Sequence, residues 1–110
     1  MYAVNDPGGG IFILRLVGED IYGHGGRLLG YVRNGVVCDK DGSPTRAIIN
    51  GANIDFPQKG STCLVVEENN VLDTDGELEA VVVGTSNQAE RMIAAAAYWE
   101  FVWSQSECPF

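Results

Sequence analysis

The stretch SNQAERMIAAAAYWEFVW, residues 86–103, decides the fold that this sequence predicts. It follows a series of short β-branched runs and contains four consecutive alanines, the residues with the highest helix propensity. Ser86 or Asn87 suits the N-cap, because its side chain can accept a hydrogen bond from the first turn, and Glu90 lies early in the helix. The sequence therefore predicts one long C-terminal helix over about 86–105.

This helix is apolar on two sides, whereas a helix that only covers a sheet is polar on its far side. Between Met92 and Trp103 the only charged residue is Glu100. Three arrangements would bury both sides: a homodimer that packs helix on helix, a ligand cleft between helix and sheet, or a strongly curved sheet that wraps the helix. The residues expected to make binding contacts are aromatic or cationic: Tyr98, Trp99, Phe101 and Trp103 in the helix, and Tyr22 and Arg27 before it.

The remainder of the chain predicts strands. Runs rich in Val, Ile and Leu alternate with Gly, Asn and Asp turns, which is typical of an antiparallel meander. Asn34-Gly35 predicts a two-residue hairpin, because a type I′ turn needs positive φ at both central positions. The principal runs are residues 11–18, 28–33, 36–38, 45–50, 62–68 and 77–84. We expect an α+β fold: an antiparallel, strongly twisted sheet or half-barrel of about six strands, closed by the C-terminal helix.

Two segments of this single domain, residues 30–51 and 66–84, resemble each other. Each has an Asn-containing turn, a short apolar strand, an Asp-x-Asp-Gly turn and an aliphatic run that ends in glycine. The pattern indicates either a duplicated three-strand unit or the chance recurrence of residues that every β protein uses. In the alignment of the two segments, Arg33 corresponds to Glu68 and Arg46 corresponds to Glu79. Units of related shape and opposite charge could pair at their edges.

The charge of the chain is unevenly divided. The formal net charge is −8 over 110 residues, yet residues 1–59 are neutral and only Arg91 offsets the acids of residues 60–110. Because an acidic surface repels phosphates, we expect neither nucleic acid nor an anionic membrane as a partner, and a basic protein fits better. Solubility alone also explains such a charge.

Length and cysteine usage predict one domain in a reducing compartment. A chain of 110 residues supports one core but no independent second domain. The first ten residues lack the basic-then-apolar pattern of a secretory signal, and no apolar run approaches a membrane span. Cys38, Cys63 and Cys108 fit neither a disulfide framework nor a zinc knuckle. We therefore expect a cytoplasmic protein with reduced thiols.

The only histidine of the chain, His24, lies in the glycine loop DIYGHGGRLLG, residues 20–30. With Glu19 or Asp20 as an orienting carboxylate, His24 would be a candidate catalytic base. A phosphate cradle would need a helix after the glycines, but the sequence predicts a strand there, which removes the helix dipole. The other interpretation is a surface histidine in a connection between two strands.

Two Asp-x-Asp-Gly turns, residues 39–42 and 73–76, contain part of the pattern of a calcium-binding loop. Both lack the third acidic position of a calcium loop, and Lys40 places a positive charge inside the first. The candidate ligands are Asp73 and Asp75, together with Glu67, Glu68 or Glu77. Asp and Gly are also favoured in tight turns for conformational reasons, and for this reason we expect no metal.

No serine triad, zinc-protease or nucleotide-binding motif occurs in the sequence, and no cofactor is expected. We expect a non-enzymatic binding module that homodimerises through its aromatic helix and presents an acidic surface to a basic partner. The alternative is a small ligand-binding protein or enzyme with a pocket between residues 18–27 and the helix, using His24 with Glu19 or Asp20. In size and acidity the chain resembles small proteins of bacterial mobile elements such as integron cassettes and phages, a resemblance that covers no motif and implies no activity.

Overall fold

The computed structural model describes residues 1–8, 12–45, 47–56 and 61–103. In these residues ten short strands form one antiparallel sheet. The strands are β1 (Tyr2–Asn5), β2 (Phe12–Val17), β3 (Asp20–Gly23), β4 (Leu28–Arg33), β5 (Val36–Asp39), β6 (Ile48–Asn50), β7 (Asn53–Phe56), β8 (Ser61–Glu67), β9 (Asn70–Asp73) and β10 (Leu78–Val83).

The sheet is a meander in which the first and last strands are neighbours. The order across the sheet is β5-β4-β3-β2-β1-β10-β9-β8-β7-β6. The strands β5 and β6 are therefore adjacent in the chain but lie at opposite edges of the sheet. Asn34 and Gly35 have φ values of 54° and 77°, and β4 pairs antiparallel with β5. This confirms the predicted type I′ hairpin.

The helix α1 (Gln88–Tyr98) begins directly after its N-cap residue, Asn87. The side chain of Asn87 accepts a hydrogen bond from the Glu90 N–H at 3.2 Å, which satisfies one of the free donors of the first turn. The Thr85 hydroxyl donates to the Glu90 carboxylate at the same end. The helix continues as a π-helical turn over Trp99–Trp103. The predicted range of about 86–105 therefore began two residues too early, and residues 104 and 105 lie outside the described part.

The sheet curves around α1 and buries it. The four alanines Ala94–Ala97 are at most 1% exposed and Trp99 is fully buried, while α1 contacts β1, β2, β5, β6, β7, β8 and β10. Side chains as small as alanine let strands approach the helix backbone closely from several directions. Of the three arrangements considered for the helix, the structure shows the curved sheet. The α+β fold, an antiparallel half-barrel with one C-terminal helix, is confirmed.

The expectation of about six strands is wrong, because the described sheet has ten. The strands β1 and β3 were assigned to the N-terminal segment and the glycine loop, β7 was not among the principal runs, and β9 was recognised only as the short apolar strand of the repeated unit. Each of these four strands has four residues, which is too short for an alternating pattern to stand out from its surroundings. These strands are defined by their pairing on both sides and by the core that α1 supplies, neither of which is a local property of the sequence.

Residues 45–50 do not form one strand beside β5, contrary to the prediction. Pro44 bridges to Cys38, and the Thr45 N–H and hydroxyl both donate to the Val37 carbonyl oxygen, at 3.0 and 2.9 Å. The chain then leaves β5, and Ile48–Asn50 pairs with β7 instead. The segment thus starts at one edge of the sheet and ends at the other.

The hairpins β4–β5 and β8–β9 have the same register at an offset of 34 residues, although Gly35 has a positive φ and its counterpart Asn69 does not. Arg33 pairs with Val36 in the first and Glu67 with Asn70 in the second. In the turns that follow, Asp39 Oδ1 and Asp73 Oδ1 each accept backbone N–H bonds from the residues two and four positions later, at 2.9–3.0 Å. Arg33 therefore corresponds to Glu67 and not to Glu68, and Arg46 lies outside the described residues. A duplication as the origin of this likeness stays a prediction.

The burial of α1 predicts effects of different size for the same substitution at two helix positions. Ala95 is fully buried and Ala89 is exposed. Ala95→Leu should lower the free energy of unfolding by about 1–3 kcal/mol, because it overpacks a closed core, whereas Ala89→Leu should change it by less than about 0.5 kcal/mol. Urea denaturation of both variants measures the difference, and equal stabilities would contradict the enclosed helix.

The hydrogen bonds of Asp73 predict a structural role for this carboxylate. Asp73→Ala should destabilise the protein by about 1 kcal/mol, because two backbone N–H groups lose their acceptor. The control Asp75→Ala should change stability by less than about 0.5 kcal/mol. Thermal unfolding with and without added calcium should give the same midpoint. A rise with calcium in the wild type that is absent in Asp73→Ala would show that the turn holds a metal.

Candidate functional site

The strongest candidate site is a pocket beneath the glycine loop, at the end of the β2–β3 ladder. Its volume is about 370 Å³, and its described walls come from β2 and from the loop itself. The expected pocket lay between the loop and the helix, whereas the described lining residues of this pocket include no helix residue. The lining residues are Phe12, Ile13, Leu14, Arg15, Gly23, His24, Gly25 and Gly26.

The loop folds back over β2 because its glycines allow a tight reversal. After β3 the chain makes a 3-10 turn at His24–Gly26, in which Gly25 and Gly26 have φ values of 84° and 83°. Residues with a side chain rarely adopt this left-handed conformation. The Gly23 N–H donates to the Arg27 carbonyl oxygen at 2.7 Å and closes the base of the loop. The reversal brings His24 next to the start of β2.

Arg15 is the cation of this pocket. Its neighbours Leu14 and Leu16 are buried in the core, and because side chains alternate along a strand, Arg15 points to the outer face of the sheet. Its Nη2 atom lies 3.8 Å from where a Cβ on Gly26 would stand. No ion pair to Arg15 is found within residues 1–8, 12–45, 47–56 and 61–103.

Sequence reasoning did not identify Arg15 as a site residue, although the sequence carried a signal. Arg15 is the only charged residue in the run IFILRLV, residues 11–17. In a strand with one face in the core, a charged side chain at an outward position stays in solvent, where it can contact a ligand.

The structure does not bring His24 together with the carboxylates proposed to orient it. Glu19 lies in the turn before β3 and Asp20 begins this strand, whereas His24 follows its end. Four residues of strand separate Asp20 from His24 by about 13 Å. The nearest polar partner of the imidazole is the carbonyl oxygen of Phe12, 3.5 Å from Nδ1. The arrangement of a base with its orienting acid is not assembled here.

Tyr22 and Arg27 lie near the pocket but are not among its described lining residues. Tyr22 pairs with Arg15 across the β2–β3 ladder, and its hydroxyl donates to Asp20 Oδ2 at 3.3 Å. The negative charge of Asp20 raises the pKa of Tyr22 above its usual value. The Tyr22 hydroxyl therefore stays protonated and donates its hydrogen bond to the Asp20 carboxylate. Arg27 is exposed beyond the 3-10 turn.

The aromatic residues of the helix belong mainly to the core. Tyr98 and Trp99 are buried, and Phe101 packs so closely on β4 that a Cβ on Gly30 would lie 2.8 Å from its ring. The side chain of Trp103 lies outside the described part. Tyr98 and Trp99 therefore offer little surface to a second subunit or to a ligand.

The described residues also give no support to a metal centre. They contain no cluster of three or more His, Cys, Asp or Glu side chains that could hold an ion. Asp73 already accepts two backbone N–H bonds within its own turn. Cys38 and Cys63 are buried, as their apolar setting in the sequence predicts, and Cys108 lies outside the described residues. None of the helices in the described part is long and apolar enough to span a membrane.

Comparisons with known proteins assign no family to this arrangement. No protein-family model matches the chain, and neither a curated protein nor a solved structure is similar to it. The case for a function therefore rests on the side chains of the pocket itself.

Proposed function

We propose that this protein is a non-enzymatic binding module whose glycine-loop pocket takes a small organic anion. The observation that carries the proposal is the meeting of Arg15 and His24 in one pocket with apolar walls. The ligand class is a carboxylate, or another compact anion, attached to a small apolar body.

Charge and shape together support this ligand class. Arg15 presents a planar guanidinium fork, which binds carboxylates through paired hydrogen bonds. Phe12 is 51% exposed at the mouth of the pocket, and Ile13 forms part of the same wall. A volume of about 370 Å³ falls in the size range of small-molecule sites.

The chemistry of the described walls favours binding over catalysis. They contain no hydroxyl, thiol or carboxylate side chain, so a covalent nucleophile and a carboxylic general acid are missing from this set. The imidazole of His24 lies with its Nδ1 atom 3.5 Å from the Phe12 carbonyl oxygen. In this pocket we assign His24 the role of a hydrogen-bond donor to the anion.

The predicted protein partners need another surface. The predicted homodimer used the aromatic helix, but its Tyr98 and Trp99 side chains are buried. The predicted basic partner would meet Glu67 and Glu68 at one end of β8–β9, or Asp75 and Glu77 at the other. Both interactions stay predictions, and neither competes with a ligand at the glycine loop.

A titration with three monosubstituted benzenes tests the pocket. Benzoate, neutral benzamide and cationic benzylamine share one ring and differ in charge. In two-dimensional ¹⁵N NMR, benzoate should shift the resonances of Gly23–Gly26 and Arg15 saturably, whereas benzamide and benzylamine should bind about tenfold more weakly or not at all. Equal affinity for benzoate and benzamide would contradict an anion site.

Two arginine variants test whether benzoate binds at the pocket. Arg15→Gln should weaken benzoate binding by about tenfold, because a charge-assisted hydrogen bond is lost. Arg33→Gln removes an exposed arginine from β4, outside the pocket, and should leave the affinity unchanged. Equal losses in the two variants would show that benzoate responds only to net charge.

A further inference from the structure

Three polar side chains lie together on the outer face of the sheet beside the glycine-loop pocket. Arg15 of β2 lies directly opposite Tyr22 of β3, and Asp20 lies two residues before Tyr22 on the same strand. Ile21 between them is fully buried, so Asp20 and Tyr22 both point to the outer face. Arg15 and Asp20 are therefore diagonal neighbours across one ladder.

The side chains of Arg15 and Tyr22 extend toward opposite ends of this ladder. The Arg15 Nη2 atom lies 3.8 Å from where a Cβ on Gly26 would stand, at the pocket. The Tyr22 hydroxyl donates to Asp20 Oδ2 at 3.3 Å, at the other end. The guanidinium thus lies by the loop that follows β3, whereas the carboxylate lies at the start of that strand.

The carboxylate of Asp20 is a second potential partner for the Arg15 guanidinium. Residues that are diagonal across an antiparallel ladder have Cα atoms about 7–8 Å apart, a distance that long side chains can span. A carboxylate that accepts from an arginine makes a charge-assisted hydrogen bond, the same bond that an anionic ligand would make in the pocket. Asp20 and the ligand can therefore compete for one guanidinium.

Tyr22 interacts with both members of this competing pair. The negative charge of Asp20 raises the pKa of Tyr22, and the positive charge of Arg15 acts in the opposite direction. The Tyr22 hydroxyl is thus within electrostatic range of both groups, and it stays bonded to the carboxylate. Without this hydroxyl, Asp20 Oδ2 would lose its described donor, and a guanidinium would be a stronger replacement.

We propose that Tyr22 is a positioning residue for the anion site: by holding the carboxylate of Asp20, its hydroxyl keeps Arg15 directed to the pocket. Tyr22 acts through Arg15 and is not among the described residues that line the pocket. The inference rests on the proposed anion site. It adds to that site an internal carboxylate that competes with the ligand when the hydroxyl is removed.

Removal of the Tyr22 hydroxyl tests this role. Tyr22→Phe should weaken benzoate binding by about three- to fivefold, because Asp20 then competes for Arg15 with the strength of an exposed ion pair. The double variant Tyr22→Phe/Asp20→Asn should restore the wild-type affinity to within about twofold, because the amide carries no charge that attracts Arg15. A structural effect of Tyr22→Phe alone would not be reversed by the second substitution.

Tyr31→Phe is the matched control, because Tyr31 lies directly opposite Asp20 on the other neighbouring strand, β4. This substitution also removes a hydroxyl from the outer face, but within the described residues the hydroxyl that donates to Asp20 is that of Tyr22. Tyr31→Phe should therefore leave the benzoate affinity unchanged. Equal losses in Tyr22→Phe and Tyr31→Phe would overturn the proposal.

A signal from the ligand-free protein separates this proposal from the proposed function. In two-dimensional ¹⁵N NMR, the Arg15 Nε–H cross-peak reports the partner of the guanidinium without benzoate. It should move in Tyr22→Phe and return toward its wild-type position in the double variant. If the wild-type protein binds no benzoate, the proposed function fails, but this cross-peak still decides the role of Tyr22. A cross-peak that does not move in Tyr22→Phe, or a loss of affinity that Asp20→Asn does not reverse, would overturn the proposal.

Discussion

The enclosure of an alanine-rich helix by one antiparallel sheet is the constraint on which the structure depends. Strands of three to seven residues bury little surface by themselves and are not stable as isolated hairpins. Seven of the ten described strands contact α1, and β3, β4 and β9 lie between paired neighbours in the sheet. The small side chains of Ala94–Ala97, all buried, keep the helix narrow enough for strands of both halves to reach it.

This enclosure also explains where binding sites can lie. With the helix surface occupied, two concave features of the described residues lie at the rim and at the opening of the sheet. The glycine loop creates one at the end of β2 and β3, where Arg15 projects outward and His24 returns to Phe12. The other lies between β5 and β6, the two edge strands of the described sheet.

The sequence predicted those features that depend on a few neighbouring residues. The alanine run with its Asn87 cap indicated the helix, Asn34-Gly35 indicated a type I′ hairpin, and the apolar setting of Cys38 and Cys63 indicated burial. The four-residue strands β1 and β3 were missed. β1 pairs with β10 from a distant part of the chain, and β3 is too short for its alternation to stand out. The departure of the chain from β5 after Thr45 was missed, because no glycine or proline separates Thr45 from Ile48–Asn50 in the sequence.

The candidate site was predicted only in part. His24 and its glycines were identified as a loop of interest, but the acids next to it in sequence lie at the far end of β3, and the cation Arg15 comes from a different strand. A chain position says little about neighbours across an antiparallel ladder until the register is known. The aromatic helix was interpreted as a binding surface, because the sequence shows its two apolar stripes but does not show the curvature of the sheet that buries them.

Amide hydrogen exchange at two protein concentrations tests the enclosed helix most directly. If the sheet of the same chain covers α1, the amides of Ala94–Ala97 exchange as slowly as those of Val4 in β1 and Val82 in β10, because all of them open only by global unfolding. Their protection is then the same in dilute and concentrated protein. Helix amides that exchange far faster than these strands, or that become protected only at high concentration, would contradict the account.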